Sequence, residues 1–285
     1  MDSLDLKTDI EIIMELLKLT NTAFSKKMNI SRPTLDKWKN SSEAITKEKL
    51  EKIYNFAFES GIQLNQIKAQ LDKEECPENS IVLFHGAKTN IDGTISLEKC
   101  EENNDFGKGF YCGESLEQSA MFVANYPNSS LYILQFEKSD LKFTEFNVDN
   151  NWMLLVAYFR KKLTEYEDHP VIKELLLKIK DVDYIIAPIA DNRMFEIIDS
   201  FIEGEITDIQ CQHCLSATNL GKQYVFVTEN SIKNLEILRH CYLSASEKEF
   251  YLTSKRDSSK ISNDKVKVAR KAYRNQGKYI EEILV

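Results

Sequence analysis

The chain has 285 residues, 42% of them hydrophobic and 10% aromatic, which is enough for one large domain or two ordinary ones with real cores. Its formal net charge of −8 argues against a protein that coats nucleic acid along its length, although it does not exclude a small basic surface on one domain. No apolar run is long enough to span a bilayer and no secretory signal is visible at the start, so we expect a cytoplasmic protein without a membrane partner.

The first 70 residues show only helical patterns. A helix is predicted from Thr46 to about Ser60, and apolar residues recur at helical spacing near the start, at Ile10, Ile13, Met14 and Leu17. The stretch 71–80 is charged, contains Pro77 and has few apolar residues. We therefore predict a helical domain at 1–70 and a linker at 71–80.

Two short helical segments, one ending at Met28 and one beginning at Arg32, flank the turn 29–31, and Ser31 is a good N-cap for the second. This arrangement resembles the helix-turn-helix of phage-repressor-type DNA-binding domains, which implies DNA binding through residues 22–39. The residues expected to face the groove or the phosphates are Ser31, Arg32, Thr34, Lys37 and Lys39. A small helical docking module is the alternative, and a single motif would bind DNA weakly unless the protein dimerises.

From Ile81 onward the pattern changes to strands mixed with helices, so we predict a domain of α+β class at 81–245. The predicted strands are 81–85, 131–136, 184–188 and 223–228. The predicted helices are 116–125, 151–163, 171–180, 195–203, 207–217 and 232–239. The tail at 246–285 is rich in Lys and Arg, and there we predict a flexible stretch followed by a helix with a solvated charged face.

Cys211 and Cys214, with His213 between them and His240-Cys241 downstream, raise the question of a zinc site. The second CxxC or HxxxH pair that such sites usually contain is missing. A helix whose two Cys residues face the core is the favoured interpretation, so we expect no metal.

Three short patches of the α+β region carry chemistry, and the first is Phe84-His85-Gly86, at the end of a buried-strand pattern. Gly86 would let a ligand approach the backbone, and the neutral His85 imidazole can donate a hydrogen bond to a ribose hydroxyl. A hydrogen-bonded His at the end of a strand is the alternative interpretation.

The second patch is Asp105–Tyr111, in which Gly107 and Gly109 flank one Lys ahead of a strand. Tyr111 offers an aromatic face on which a planar ring such as nicotinamide can stack. The pattern fails the dinucleotide-binding fingerprint, because Cys112 stands where a third glycine is needed. A glycine-rich hairpin with a core Tyr is the alternative.

The third patch begins with Gln223, which opens the strongly β-prone strand Tyr224–Val227. A side chain at the start of a strand can face a cleft. A solvated residue at a sheet edge is the alternative.

In this order the patches resemble the ADP-ribosyltransferase fold of the diphtheria-toxin and poly(ADP-ribose) polymerase branch, the H-Y-E class. Residues 81–240 are also similar to a bacterial uncharacterised family, DUF3990, which shares the Asp105–Tyr111 patch, the stretch Ala187–Phe195 and a Gln-Tyr-Val-Phe strand. The resemblance implies a split β-sandwich with helical insertions, and NAD as co-substrate without a metal.

The resemblance also implies roles for single residues. His85 would bind the nicotinamide-side ribose, the Gly86 backbone would bind the nicotinamide carboxamide, and Tyr111 would stack on the nicotinamide ring. Further residues expected to contact NAD are Gly109, Phe110, Ser119 and Arg193. The Arg193 guanidinium would clamp the pyrophosphate or touch the acceptor, and a surface salt bridge is its alternative role.

Gln223 stands at the position of the catalytic acid, and there the sequence departs from the H-Y-E pattern. A carboxylate stabilises an oxocarbenium-like centre by its charge, whereas a neutral amide can only orient a hydroxyl or the acceptor. Elongation into poly(ADP-ribose) is therefore not expected, while single transfer and NAD hydrolysis both stay open. Asp105 or Asp191 could supply the missing charge.

The sequence thus predicts a mono-ADP-ribosyltransferase with His85, Tyr111 and Gln223 as catalytic residues and an unidentified protein or nucleic-acid acceptor. The family resemblance implies a toxin–antitoxin or phage-defence setting, with a cognate antitoxin as partner. The alternative is a DNA-binding transcriptional regulator whose C-terminal domain senses NAD or ADP-ribose without catalysis. Release of nicotinamide would separate the two.

Overall fold

The computed structural model describes residues 4–40, 45–218 and 221–285, which form a mixed α+β fold with a helical N-terminal region. Residues 1–3 and 41–44 of the predicted helical domain, and residues 219–220 before Gln223, lie outside the described residues. None of the helices in the described ranges combines the length and the apolar character that a membrane crossing requires.

Helices are the most frequent elements. The described ranges contain thirteen α-helices: α1 (Leu6–Leu16), α2 (Asn21–Met28), α3 (Arg32–Asn40), α4 (Lys47–Glu59), α5 (Leu64–Glu75), α6 (Leu116–Val123), α7 (Asn150–Phe159), α8 (Pro170–Lys180), α9 (Asn192–Ile202), α10 (Asp208–Ser216), α11 (Glu229–Lys233), α12 (Ala245–Ala272) and α13 (Ile280–Ile283). Short 3-10 helices form at Leu97–Lys99 and Thr164–Tyr166.

Seven strands form within the same described ranges: β1 (Ser80–Ala87), β2 (Phe110–Gly113), β3 (Ser130–Glu137), β4 (Phe143–Glu145), β5 (Tyr184–Pro188), β6 (Lys222–Phe226) and β7 (Leu235–Tyr242). The four predicted strands are confirmed as β1, β3, β5 and β6. The helix predicted at 232–239 is wrong, because the chain forms only the short α11 and then β7 there. So short an apolar window does not separate helical from strand spacing, and pairing beside β3 selects the strand.

Two segments that were expected to be irregular are helical. Helix α5 continues to Glu75, through half of the predicted linker at 71–80. The flexible stretch predicted after residue 246 is wrong, because α12 begins at Ala245 and runs for 28 residues. Tyr251 and Ala269, 2% and 8% exposed, each belong to a hydrophobic core, so tertiary packing supports a helix that its charged sequence does not reveal.

The chain divides into two compact units. The first unit contains the described residues of 1–94, 116–137 and 236–254, and the second contains those of 95–115, 138–235 and 255–285. Residues on both sides of the predicted linker therefore belong to the first unit.

In the first unit, the N-terminal helices share a hydrophobic core whose fully buried members include Ile10, Ile13, Phe24, Leu35 and Ile53. Helices α2 and α3 pack together on either side of a turn in which Asn29 has a φ of 53°. The Ser31 Oγ accepts a hydrogen bond of 3.3 Å from the Thr34 amide, so Ser31 caps α3 as predicted.

The strands of the first unit lie in the order β1-β3-β7, with β1 and β3 antiparallel. Their register places His85 opposite Tyr132. Phe84, Ile133 and the α6 residue Val123 are fully buried in a second core of this unit. This packing fixes the end of β1, where His85 and Gly86 lie.

A buried ion pair joins the first and fifth helices of the first unit. The Asp9 carboxylate and the Lys68 ammonium, each at most 3% exposed, lie 3.0 Å apart. The Tyr54 hydroxyl donates a hydrogen bond of 2.5 Å to the same carboxylate. The partners compensate each charge for its lost hydration, so removing one alone would leave a buried charge unpaired.

Polar contacts also connect these helices to β7 and α12. Arg239 of β7 donates two hydrogen bonds of 2.7 Å to Asp72 of α5. Glu247 of α12 accepts hydrogen bonds of 3.0 and 3.1 Å from the Asn65 amide. Burial raises the pKa of the Glu247 carboxyl from 4.5 to about 7.

In the second unit the strands lie in the order β4-β5-β6-β2, with β4 parallel to β5 and β6 antiparallel to both of its neighbours. The register places Gln223 opposite Ala187 on β5 and opposite Gly113 on β2. Helix α7 belongs to the core of this unit: Trp152, Leu155 and Val156 are buried, and Phe159 is partly buried against the same core.

Candidate functional site

Tyr111 holds together the glycine-containing loop that precedes it. Its hydroxyl donates a hydrogen bond of 2.9 Å to the Gly107 carbonyl and accepts one of 3.0 Å from the Phe106 amide. Gly107 has a φ of +71°, a conformation that favours glycine. The Tyr111 hydroxyl thus links the backbone at Phe106 and Gly107 to β2. The Tyr111 ring is half-buried near the start of β2.

The other residues of this patch serve packing. A Cβ on Gly109 would lie 2.8 Å from Val225 Cγ1 and 3.1 Å from the Phe226 carbonyl oxygen, so glycine is needed for β2 to approach β6. Phe110 is only 7% exposed. Burial raises the pKa of the Tyr111 hydroxyl, which therefore stays neutral at physiological pH.

The Gln223 carboxamide is buried, with 7% of the residue exposed. Its Nε2 donates hydrogen bonds of 2.9 Å to Asp105 Oδ2 and 3.0 Å to the Pro188 carbonyl. Both partners are acceptors, so the NH2 group must face them and the carboxamide oxygen must point away. Within the described residues that oxygen makes no hydrogen bond, and it is not among the fully buried unpartnered atoms.

Asp105 is the residue that holds Gln223 in this orientation. It is 4% exposed, and its Oδ1 accepts hydrogen bonds of 3.1 Å and 2.8 Å from Nε and Nη2 of Arg160. The amide of Ala190 lies 3.4 Å from Oδ2. The Arg160 guanidinium also stacks 5.4 Å from the Phe195 ring centroid. The buried carboxylate is thus paired, as buried charges require.

No sequence pattern singled out Arg160, which is the residue that caps the C-terminal end of α7. In the sequence Arg160 is followed by two more cationic residues, Lys161 and Lys162, and only the fold brings its guanidinium to Asp105. Asp105 itself was expected as a possible source of charge. The structure places it against Gln223 as a hydrogen-bond acceptor.

Arg193 and Asp191 lie at the start of α9. The Asp191 carboxylate caps the helix by accepting a hydrogen bond of 2.8 Å from the Met194 amide. Arg193 donates a hydrogen bond of 3.1 Å to the Ser259 carbonyl and lies 3.9 Å from Asp191. The alternative salt-bridge role of Arg193 is therefore present, and the pyrophosphate role stays a prediction.

His85 and Gly86 lie in the first unit, at the end of β1. The half-buried His85 ring lies 6.5 Å from the Tyr132 ring, which in turn stacks 4.8 Å from His240 of β7 (centroid distances). The sequence patterns did not predict these contacts of Tyr132 with His85 and His240.

Gly86 is required by packing against α6. A Cβ at this position would clash with the Ser119 carbonyl oxygen and lie 2.9 Å from Val123 Cγ1. The Ser119 hydroxyl donates a hydrogen bond of 3.1 Å to the Phe84 carbonyl, which ties α6 to β1. The predicted contacts of Gly86 and Ser119 with NAD stay predictions, but both residues have a structural function.

A groove with a volume of about 610 Å³ lies among the described residues of the second unit. Its walls include Phe106 and Lys108 from the loop before β2, together with Phe159 and residues of α8. Neither Tyr111 nor Gln223 lines it. The Gln223 cluster is the better candidate for a functional site, because its polar groups are held in fixed orientations, whereas the groove walls are mainly apolar side chains and lysines.

Residues 81–237, more than half of the chain, match a protein-family model described as "Protein of unknown function (DUF3990)". The chain belongs to the DUF3990 family. The match includes His85, Tyr111, Arg193 and Gln223, so the narrower resemblance is confirmed. No curated protein and no solved structure matches this DUF3990 chain.

The predicted DNA-contacting residues precede the DUF3990 match. Ser31, Arg32 and Lys37 are exposed on α3 or just before it. The Thr34 hydroxyl lies 2.8 Å from that of Ser31, and the Lys39 ammonium lies 3.6 Å from Glu11. Of the five residues predicted to contact DNA, Arg32 and Lys37 are thus the exposed cations.

Cys211 and Cys214 lie on α10 of the DUF3990 region and are fully buried, as the core interpretation predicts. Their thiols donate to the carbonyls of Ile197 and Val266, at 3.7 and 3.8 Å. In the part of the chain that the structure describes, no three His, Cys, Asp or Glu residues are arranged to hold a metal ion.

Proposed function

We propose that this DUF3990 protein is a mono-ADP-ribosyltransferase that cleaves NAD at the bond between nicotinamide and ribose. The observation that carries the proposal is the Gln223 carboxamide, whose Nε2 is held by two acceptors so that its oxygen points away from both. This residue stands at the position that the resemblance assigns to the catalytic acid. Preorganised polar groups of this kind support catalysis because they need no rearrangement during the reaction.

The carboxamide oxygen of Gln223, which makes no hydrogen bond within the described residues, can accept one from a ribose hydroxyl or from the nucleophile of the acceptor. In the reaction, nicotinamide leaves ribose C1′ with the bonding electrons, and an oxygen or nitrogen of the acceptor bonds to C1′ and loses a proton. A neutral amide orients these groups but does not offset the positive charge that develops on the ribose. We therefore expect slow single transfer, with NAD hydrolysis when no acceptor is present.

Tyr111 and His85 complete the proposal through the roles that the resemblance implies. The loop contacts of the Tyr111 hydroxyl fix the ring that would stack on nicotinamide. His85 would donate to the nicotinamide-side ribose from the end of β1. The acceptor is a protein or a nucleic acid, and a cytoplasmic toxin–antitoxin or phage-defence setting, with a cognate antitoxin, belongs to the same proposal.

The test is nicotinamide release from NAD by the purified protein, alone and with cell lysate. We expect release that lysate stimulates and that falls at least ten-fold in His85→Ala and in Tyr111→Ala. Tyr126→Ala, at a residue 38% exposed, is the matched control and should release nicotinamide normally. Absence of nicotinamide release under every condition, with NAD still bound, would exclude the enzymatic function.

The second candidate function is a DNA-binding regulator that senses NAD or ADP-ribose without turnover. The exposed cations Arg32 and Lys37 beside the Ser31 cap favour it, because phosphate contacts from the start of a helix are typical of DNA-binding motifs. Duplex binding that changes with NAD, without nicotinamide release, is the result that would select this function.

A further inference from the structure

We infer that Asp105, held by Arg160, requires residue 223 to be a carboxamide and makes its oxygen the group that is offered to the substrate. In this inference the glutamine is an adapted element of the site, and not a catalytic acid that has been lost. Asp105 and Arg160 act as positioning residues. The inference rests on the proposed function, and it also has consequences for stability that do not.

The groups that face residue 223 exclude a glutamate. Asp105 Oδ2 and the Pro188 carbonyl, at 2.9 and 3.0 Å from Gln223 Nε2, are both acceptors. A glutamate in the same rotamer would place a carboxylate oxygen against both. Two ionised carboxylates at that distance repel each other strongly in a buried site, so one would have to bind a proton.

Arg160 offsets only part of this repulsion. Its guanidinium is fixed on Asp105 Oδ1, on the other oxygen from the one that Gln223 contacts. The other titratable group that interacts with Asp105 is the Tyr111 hydroxyl, whose pKa is raised by burial. Tyr111 therefore stays neutral between pH 6 and pH 8. A pH dependence that Gln223→Glu introduces in that range would come from the two carboxyls that face each other at positions 105 and 223.

The orientation also restricts what the site can bind. With both amide hydrogens used by Asp105 and Pro188, residue 223 offers only an acceptor to a ligand. The substrate group at this place must therefore be a hydrogen-bond donor, such as a ribose hydroxyl or a neutral hydroxyl or amine of the acceptor. A ligand that presents only acceptors there is disfavoured.

The experiment compares the wild type with Gln223→Glu, Asp105→Asn and the double variant that carries both changes. In the double variant the amide introduced at position 105 can donate to the carboxylate introduced at position 223, while the amide oxygen still accepts from Arg160. The polarity of the pair is then reversed. Unfolding midpoints are measured at pH 6 and pH 8, and kcat and KM for nicotinamide release are measured on the same proteins. Gln223→Met, which removes the hydrogen bonds without adding charge, is the matched control.

We expect Gln223→Glu to lower the midpoint by about 5 °C or more at pH 8 and less at pH 6, and to lower kcat at least ten-fold. The double variant should be more stable and more active than Gln223→Glu alone. Gln223→Met should lose stability equally at both pH values. A fall in kcat with little change in KM is the signature of a positioning role, because substrate binding by the rest of the site is intact.

The inference would be overturned if Gln223→Glu were as stable as the wild type at both pH values and released nicotinamide as fast or faster. Strictly additive effects of the two substitutions on the midpoint would also overturn it. If the wild type releases no nicotinamide, the proposed function fails while the midpoints still decide whether Asp105 requires the carboxamide.

Discussion

The hydroxyl of Tyr111 provides a test of the loop that precedes β2. Tyr111→Phe keeps the ring but removes the one atom that contacts both the Phe106 amide and the Gly107 carbonyl. Phe106 is 3% exposed, so its amide would be left without a partner away from water. A buried donor without a partner costs about 1–3 kcal/mol. We expect a total loss of about 2 kcal/mol, because removal of the buried hydroxyl itself offsets part of the cost.

For a domain of 150–250 residues this loss corresponds to a fall in the unfolding midpoint of about 4–8 °C. The assay is thermal unfolding of the wild type, Tyr111→Phe and the control Tyr126→Phe, whose side chain is 38% exposed. The control should unfold within about 1 °C of the wild type, because surface substitutions have small effects.

NAD binding by the same variant separates the two roles of Tyr111. The phenyl ring retains its stacking face, so affinity should fall only as far as the loop loosens, and less than in Tyr111→Ala. An unchanged midpoint in Tyr111→Phe would refute the conclusion that the hydroxyl closes the loop.

Three other variants test separate parts of the structure. Gly86→Ala should destabilise the protein by about 2 kcal/mol in urea unfolding, because its methyl group meets the Ser119 carbonyl; an unchanged midpoint would contradict this packing. Glu247, with a pKa of 4.5 unfolded and about 7 folded, binds its proton more tightly in the native state. The contribution of Glu247 to stability should therefore be greatest below pH 4.5 and fall by about 3 kcal/mol as the pH rises to 7, a loss that Glu247→Gln should abolish. Equal slopes in both proteins would exclude this origin. Arg32→Ala with Lys37→Ala should weaken duplex binding and reduce its salt slope by about 2; unchanged binding would place DNA elsewhere or exclude it.

The predictions succeeded where a pattern repeats over several residues, as in α7 and β5. They failed at β7, because eight residues with apolar side chains at mixed spacing fit a strand and a helix equally well, and only the neighbouring strand decides. Helix α12 was missed for a related reason, since the charged surface dominates its sequence and the few buried residues are far apart.

At the candidate site, the sequence patterns singled out Gln223 and Tyr111 but not the contacts that orient Gln223. The interaction between Asp105 and Gln223 joins residues 118 positions apart, and Arg160 reaches Asp105 from 55 positions away. No local pattern encodes such pairings, because they depend on how β6 and the end of α7 pack in the folded chain.

The contacts of Asp72 with Arg239, and of Asn65 with Tyr242 and Glu247, have a practical consequence for dissecting the chain. The family match stops at residue 237, ahead of Arg239 and its neighbours in β7. A fragment cut to those limits would lose the end of a strand, and one that began after the fifth helix would leave Arg239 without Asp72. The N-terminal helices are therefore not a separable DNA-binding domain. Loss of activity on deleting them would indicate misfolding as readily as loss of DNA binding.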